Sequence, residues 1–191
     1  MAATVSIYFD FGGSDGSPGT EQDIDALGPP RLRFKVADNA TIDTNNPIPI
    51  PPADTGYSYW KHVYLYCDDP DGNTIDNLRF YADGANNFGT GVDLYVGLQF
   101  PTKTNASAAG YEVADAATEM VSGHSGISSS ASVFDYTSGS PLTVTIGEAG
   151  NVINAIGETS NYIVLQMNVA STASPGELPV DETLTIKYDE A

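Results

Sequence analysis

The chain has 191 residues, 25 acids against 7 bases for a formal net charge of −18, and a single cysteine, Cys67. That length suffices to bury roughly 70% of the unfolded surface, so no metal or disulfide is required to fold it. The single thiol excludes an intramolecular disulfide, 41% hydrophobic residues exclude a disordered chain, and the charge repels nucleic-acid phosphates and anionic membrane, leaving neither as an expected partner.

In chain order, "TVSIYFDF" alternates Val5, Ile7, Phe9 and Phe11 against Thr4, Ser6, Tyr8 and Asp10, the pattern of a half-buried strand. "GGSDGSPG" reads as a loop and "EQDIDALG" as a single helical turn. "RLRFKV" reads as a second strand, with Leu32, Phe34 and Val36 on one face and Arg31, Arg33 and Lys35 on the other. Three bases on one stripe of so acidic a chain call for a partner. That partner is either the acids of a neighbouring strand or a second subunit.

Residues 37–58 are long for a connection and read as an insertion. Within them Pro47, Pro49, Pro51 and Pro52 exclude helix and central strand, so "NPIPIPP" is expected as an extended, polyproline-like arm. Ile48 and Ile50 then either lie across another subunit or cap an open end of this domain's own core. "YWKHVYLYC" is the strongest strand: Trp60, His62, Tyr64 and Tyr66 alternate with Tyr59, Lys61, Val63, Leu65 and Cys67, and both faces look covered. "DDPDGNTID" is a turn, "NLRFYA" its expected hairpin partner, and "VDLYVGLQF" the next strand. Residues 101–132 are rich in small residues and read as a second insertion, with "EVADAATEMV" a possible short helix or two loose edge segments. "LTVTI", "YIVLQMNVA" and "ETLTIKY" supply the last strands, the middle one central. About eight strands with almost no helix predict an all-β chain: one antiparallel β-sandwich or jelly-roll-like domain over 1–191, with loop insertions at about 37–58 and 101–132.

Chemistry is thinly signalled. Asp68, Asp69, Asp71, Asn73 and Asp76 offer oxygens that suit Ca²⁺, but their spacing does not match a calcium loop, and a hairpin turn explains the same residues. No other cofactor is expected. His62 lies in a strand pattern and His124 in a Gly/Ser loop, so no zinc set can be assembled with Cys67 at recognised spacing. Cys67 and His62 are five residues apart and point to opposite faces of one strand, which leaves the thiol without a base. "SGHSG" is not a nucleophile elbow. The expectation is a non-enzyme. The N-terminus shows neither a basic segment nor an apolar segment of an export signal, and no apolar run is long enough to cross a membrane.

The stretch "YWKHVYLYCDDPDGNTIDNLRFYADGANNFGTGVDLYVGLQF" resembles virion structural proteins of tailed phages and archaeal tailed viruses: a strand beginning at a Trp-Lys pair, a turn, an "NLRFY" strand and a "VDLYVG" strand. The closing "YIVLQMNVASTASPGELPVDETLTIKYDEA" is similar to the same group. The likeness spans roughly residues 57–100 and 160–191. It implies a capsid decoration or cement subunit, made in the host cytoplasm without a signal peptide and placed on the virion. Its partners would be the major capsid protein or other virion proteins, and it would self-associate. On that reading Arg31, Arg33, Lys35 and the arm Pro47, Ile48, Pro49, Ile50, Pro51, Pro52 are the first partner-contact candidates. The alternative is a carbohydrate- or receptor-binding sandwich on a tail or cell surface, stacking sugars on Tyr57, Tyr59 and Trp60. A Ca²⁺-dependent hydrolase is the third class.

Overall fold

The alternating N-terminal segment forms β1 (Thr4–Ser14), and β2 (Ser17–Asp23) folds straight back on it. A computed structural model describes residues 1–28, 32–97, 111–122, 124, 126–127, 129–175 and 181–191. The expected loop at 12–19 is therefore part of a hairpin. Its glycines are the reason: a Cβ on Gly19 would sit 2.0 Å from the Phe11 carbonyl oxygen, so the two strands approach only where one lacks a side chain. A 3₁₀ turn at Asp25–Leu27 supplies the expected helical turn.

The strand expected at 31–36 does not form over the described residues 32–36. Lys35 turns inward and its backbone is used elsewhere: its carbonyl accepts from Tyr59 N at 3.0 Å, while Val36 N donates to the Asn46 carbonyl at 2.9 Å. Both expected insertions contain strands. β3 (Thr55–Tyr57) lies at the end of the first, and β7 (Ser130–Ser132) at the end of the second. No helix forms over residues 111–121; that segment is bends and turns. The remaining strands are β4 (Lys61–Asp69), β5 (Ile75–Tyr81), β6 (Val92–Gly97), β8 (Leu142–Thr143), β9 (Ile163–Ala170) and β10 (Thr185–Glu190). The expected strand at 142–146 is thus only two residues long, although Val144 and Ile146 stay buried.

Two antiparallel sheets result. The main sheet runs β2-β1-β4-β9-β6-β7, with β3 also paired to β9; the small sheet runs β10-β5-β8. β5 is therefore not the hairpin partner of β4. The acidic turn carries the chain from one sheet to the other, because both edges of β4 are taken by β1 and β9 and both edges of β5 by β10 and β8. Asp71 and Gly72 sit at φ 51° and 81°, the two positive values a mirror-image turn needs, and Asn73 N closes it on the Pro70 carbonyl at 2.9 Å.

The inner face of the main sheet (Phe9, Val63, Leu65, Leu94, Val96, Ile163, Leu165) packs on Leu78, Phe80 and Ala82 of the small-sheet side and on Val144 and Ile146. Each such large aliphatic or aromatic side chain removed from water contributes about 1.5–3 kcal/mol, and this core is what holds the two sheets together. Cys67 belongs to it and is fully buried. The outer face of the main sheet is also covered, by residues 111–127, which build a second core of Trp60, Tyr64, Tyr111, Met120, Tyr162 and Val164. Among the described residues no helix is long and apolar enough to cross a membrane.

Candidate functional site

Most of the polar chemistry of the described chain lies in two buried places, one on each face of the main sheet. On the outer face, strand alternation lifts Asp10 from β1, His62 and Tyr64 from β4 and Gln166 from β9 into one layer, and Trp60 and Tyr162 join it from just before β4 and β9. Asp10, His62 and Gln166 have no exposed surface at all. Polar groups so placed must be bonded, and these are. Asp10 accepts from Tyr64 at 3.4 Å on one oxygen and from Tyr162 on the other. Burial, and after it the charge of Asp10, pushes both phenols far up, so neither loses its proton near neutral pH.

His62 has a defined tautomer. The indole N–H of Trp60 can only donate, and it points at His62 Nε2 from 3.0 Å, so Nε2 carries the lone pair and the proton sits on Nδ1. Nδ1 faces Tyr111 Oη at 3.5 Å, and that hydroxyl donates to the Gly12 carbonyl at 3.2 Å. The covering segment is tied down at its other end by Gln166, whose carbonyl takes Met120 N at 2.8 Å and whose amide donates to the Thr118 and Ser58 carbonyls. Next to Trp60, with ring centres 4.4 Å apart, His124 presents Nδ1 to Glu112 at 3.0 Å and Nε2 to Asp115 at 3.3 Å. These groups cross-tie four segments. The Asp10–His62 part is closed to water, so it offers no entry for a substrate.

On the inner side two lysines are buried, Lys61 on the apolar stripe of β4 and Lys35 on a loop. Lys61 is 1% exposed, its Nζ 5.2 Å from the centre of the Phe9 ring and 3.1 Å from the Asn39 carbonyl. Burial pushes it down from 10.5 to about 8, partly opposed by the charge of Asp38. Burial in turn raises Asp38, which accepts from Gly12 N at 2.5 Å. Lys35, 2% exposed, donates to the Thr41 carbonyl and to Asp43, both at 3.0 Å. That bond holds the Asp43 carboxyl below its ordinary range. The two ammonium groups fasten the 38–43 loop over the end of the sandwich. Lys61 was legible as an oddity, a charge among Val63, Leu65 and Cys67 on an apolar stripe; its acceptors, 22 residues away in sequence, were not.

The residues singled out from sequence fall as follows. Lys35 is buried and pairs with Asp43, an acid of the same chain that sits in a loop and not on a neighbouring strand. Arg33 is half-buried, and Arg31 lies outside the described residues. In the arm, Ile48 and Ile50 pack on the chain's own core, while Pro47, Pro49 and Pro52 face solvent and Pro51 is half-buried. A Cβ on Gly56 would lie 2.6 Å from the Pro49 carbonyl oxygen, which shows how closely the arm rests on β3. Trp60 has no exposed surface, so it cannot stack a sugar; Tyr57 and Tyr59 are half-buried. In the acidic turn Asp68, Asp69, Asp71 and Asn73 have partners within the chain. Asp68 accepts from Ser6 at 2.6 Å and Asp69 from Asp71 N at 2.9 Å, while Asp71 pairs with the N-terminal ammonium at 2.6 Å. Asn73 donates to Met1 and Glu190, and Asp76 stands on β5 opposite Asp189. Among the described residues no three His, Cys, Asp or Glu side chains converge to hold an ion. Asp10, Tyr111 and Glu112 went unremarked as site residues in the sequence, since nothing local marks a residue whose partners come from other strands.

No protein-family model, no curated protein and no solved structure matches this chain.

Proposed function

We propose that the protein is a non-enzymatic structural subunit of a virion surface, a decoration or cement protein that works by packing against a shell. The observation that carries this reading is where the chain spends its chemistry. Asp10, His62, Tyr64, Tyr162, Lys35 and Lys61 are all committed to holding segments of the chain together. Lys35 and Lys61 are buried and Arg79 is paired to Asp189, which withdraws three of the seven bases from a surface already rich in acids. A surface of that kind stays soluble at high local copy number and does not adhere to packaged nucleic acid. A β-sandwich braced on both faces of its main sheet suits a mechanical role. The resemblance of residues 57–100 and 160–191 to tailed-virus proteins supports the same reading.

An antiserum against the purified protein, used for immunogold labelling of particles shed by the cells that carry this gene, is the test. Regular labelling of particle heads is expected. Labelling confined to the cell surface, or absent from particles, overturns the proposal. Light scattering of the purified protein reports self-association separately.

A further inference from the structure

Among the described residues, the segment that covers the outer face of the main sheet leaves one end of that face open. There, three adjacent strands bring one row of residues together: Tyr57 of β3 stands opposite Asn168 of β9, and Asn168 opposite Asp93 of β6. The next row holds Thr55 beside Ala170. Above them lies a groove of about 330 Å³, with Asp93, Tyr95 and Asn168 in its floor and Asn86 on its exposed rim.

The floor holds one carboxylate and one carbonyl oxygen without a donor. Asn168 Oδ1 is buried and has no hydrogen-bond donor among the described residues. Asp93 is held in one orientation, its Oδ1 accepting from Leu94 N and from Ser132 Oγ, both at 2.8 Å. Burial first, and then the charges of Asp93, Glu119 and Asp135, raise the Tyr95 phenol, so that ring stays neutral beside three carboxylates. Tyr57 lies close enough to Tyr95 to act on it as well. None of the lining residues is a base.

We propose that this groove is a docking site for a guanidinium group, an arginine side chain presented by a partner protein. A guanidinium carries five donors and no acceptor, and the floor offers it the Asp93 carboxylate and the Asn168 carbonyl oxygen. It pairs with a fixed carboxylate and lies flat on a tyrosine ring. A phosphate or sulfate is repelled by the same carboxylates, and a neutral sugar gains nothing from their charge. The inference stands apart from the virion reading and holds for any arginine-bearing partner.

The test is an NMR titration of the ¹⁵N-labelled full chain with N-acetyl-arginine N-methylamide. Its citrulline counterpart, which has the same shape without the charge, and a neutral disaccharide serve as comparison ligands. Saturable shifts are expected at the amides of Asn86, Asp93, Tyr95 and Asn168 with the arginine compound alone. Asp93→Asn keeps the oxygen that makes both hydrogen bonds and is expected to weaken binding by at least about ten-fold. Asn86→Arg, on the exposed rim, fills the groove from within and is expected to abolish binding, while it also gives up the Asn86 bonds to Val92 and Phe88. Asp25→Asn, beyond the opposite edge of the main sheet, leaves binding unchanged. Equal shifts with citrulline or the disaccharide overturn the proposal. So do shifts spread over the whole acidic surface regardless of Asp93→Asn, or no shifts at these four amides.

Discussion

Lys61 holds an ammonium group against an aromatic ring with 1% of its surface exposed, and that placement has a measurable pH signature. Its value in the folded chain, about 8, lies below the 10.5 of the unfolded chain. Between those limits the unfolded state binds more protons, so stability rises with pH across the window; below about 8 both states are protonated and the full cost of burial persists. The gain is about 3 kcal/mol. Tyr64 and Tyr162 act in the opposite sense. Their raised phenols keep protons that the unfolded chain releases above its ordinary value of 10.0, so stability falls beyond that pH. Urea unfolding followed from pH 7.5 to 11 (about the working range of alkaline buffers) should show a rise and then a fall in the wild type. Lys61→Met should lose the rise alone, and an identical rise in both proteins would refute the assignment. Tyr162→Phe removes one donor from a fully buried carboxylate and should cost about 1–3 kcal/mol by the same measurement. A loss within experimental error would mean that Asp10 is served by other donors.

Among the elements β9 matters most, because it is bonded to β4 and β3 along one edge and to β6 along the other. Its inward residues Ile163 and Leu165 are each 1% exposed. Ile163→Asp or Leu165→Asp should abolish soluble folding by burying an unpaired charge. A soluble, cooperatively melting protein from both would contradict the central placement. Between β3 and β4, Ser58 keeps the chain on β9: its N–H donates to the Met167 carbonyl at 2.9 Å and its hydroxyl accepts from Met167 N at 3.0 Å. The proline arm depends on the neighbouring Gly56. Gly56→Ala should push the arm off β3, destabilise the fold by about 1–3 kcal/mol and open residues 47–52 to limited proteolysis. Unchanged proteolysis would show that the arm yields without detaching. The strands of β4 and β9 were legible because alternation and aromatic content marked them. β2 was not, since "SPGTEQD" owes its pairing to glycines facing one another across the hairpin and carries no apolar stripe.

For the whole molecule, −18 of net charge on 191 residues means that the fold works against its own repulsion. The ion pairs Lys35–Asp43 and Arg79–Asp189 offset little of it. Raising NaCl from about 10 mM to about 1 M should therefore raise the melting temperature by several degrees, since screening relieves repulsion more than it weakens such pairs. A fall with salt would show that attractive pairs dominate.

The sequence by itself determined the class of structure: alternation of period two, turn residues between the runs and scarce helix signals leave an all-β sandwich as the outcome, and the same alternation placed Cys67 and His62 on opposite faces. It also determined the acidic field, because charge is a sum over residues and needs no geometry. The tertiary structure alone decided which strand pairs with which, as with β5 joining the small sheet in place of its neighbour β4. It alone decided which residues are internal: Trp60 and Lys35 are buried, and the two isoleucines of the arm pack, half-buried, on the chain's own core. The reason is the same in each case. A hydrogen-bond partner or a covering segment tens of residues away leaves no local mark, and both the buried Asp10 network and the open groove at Asp93 are made from such distant pieces.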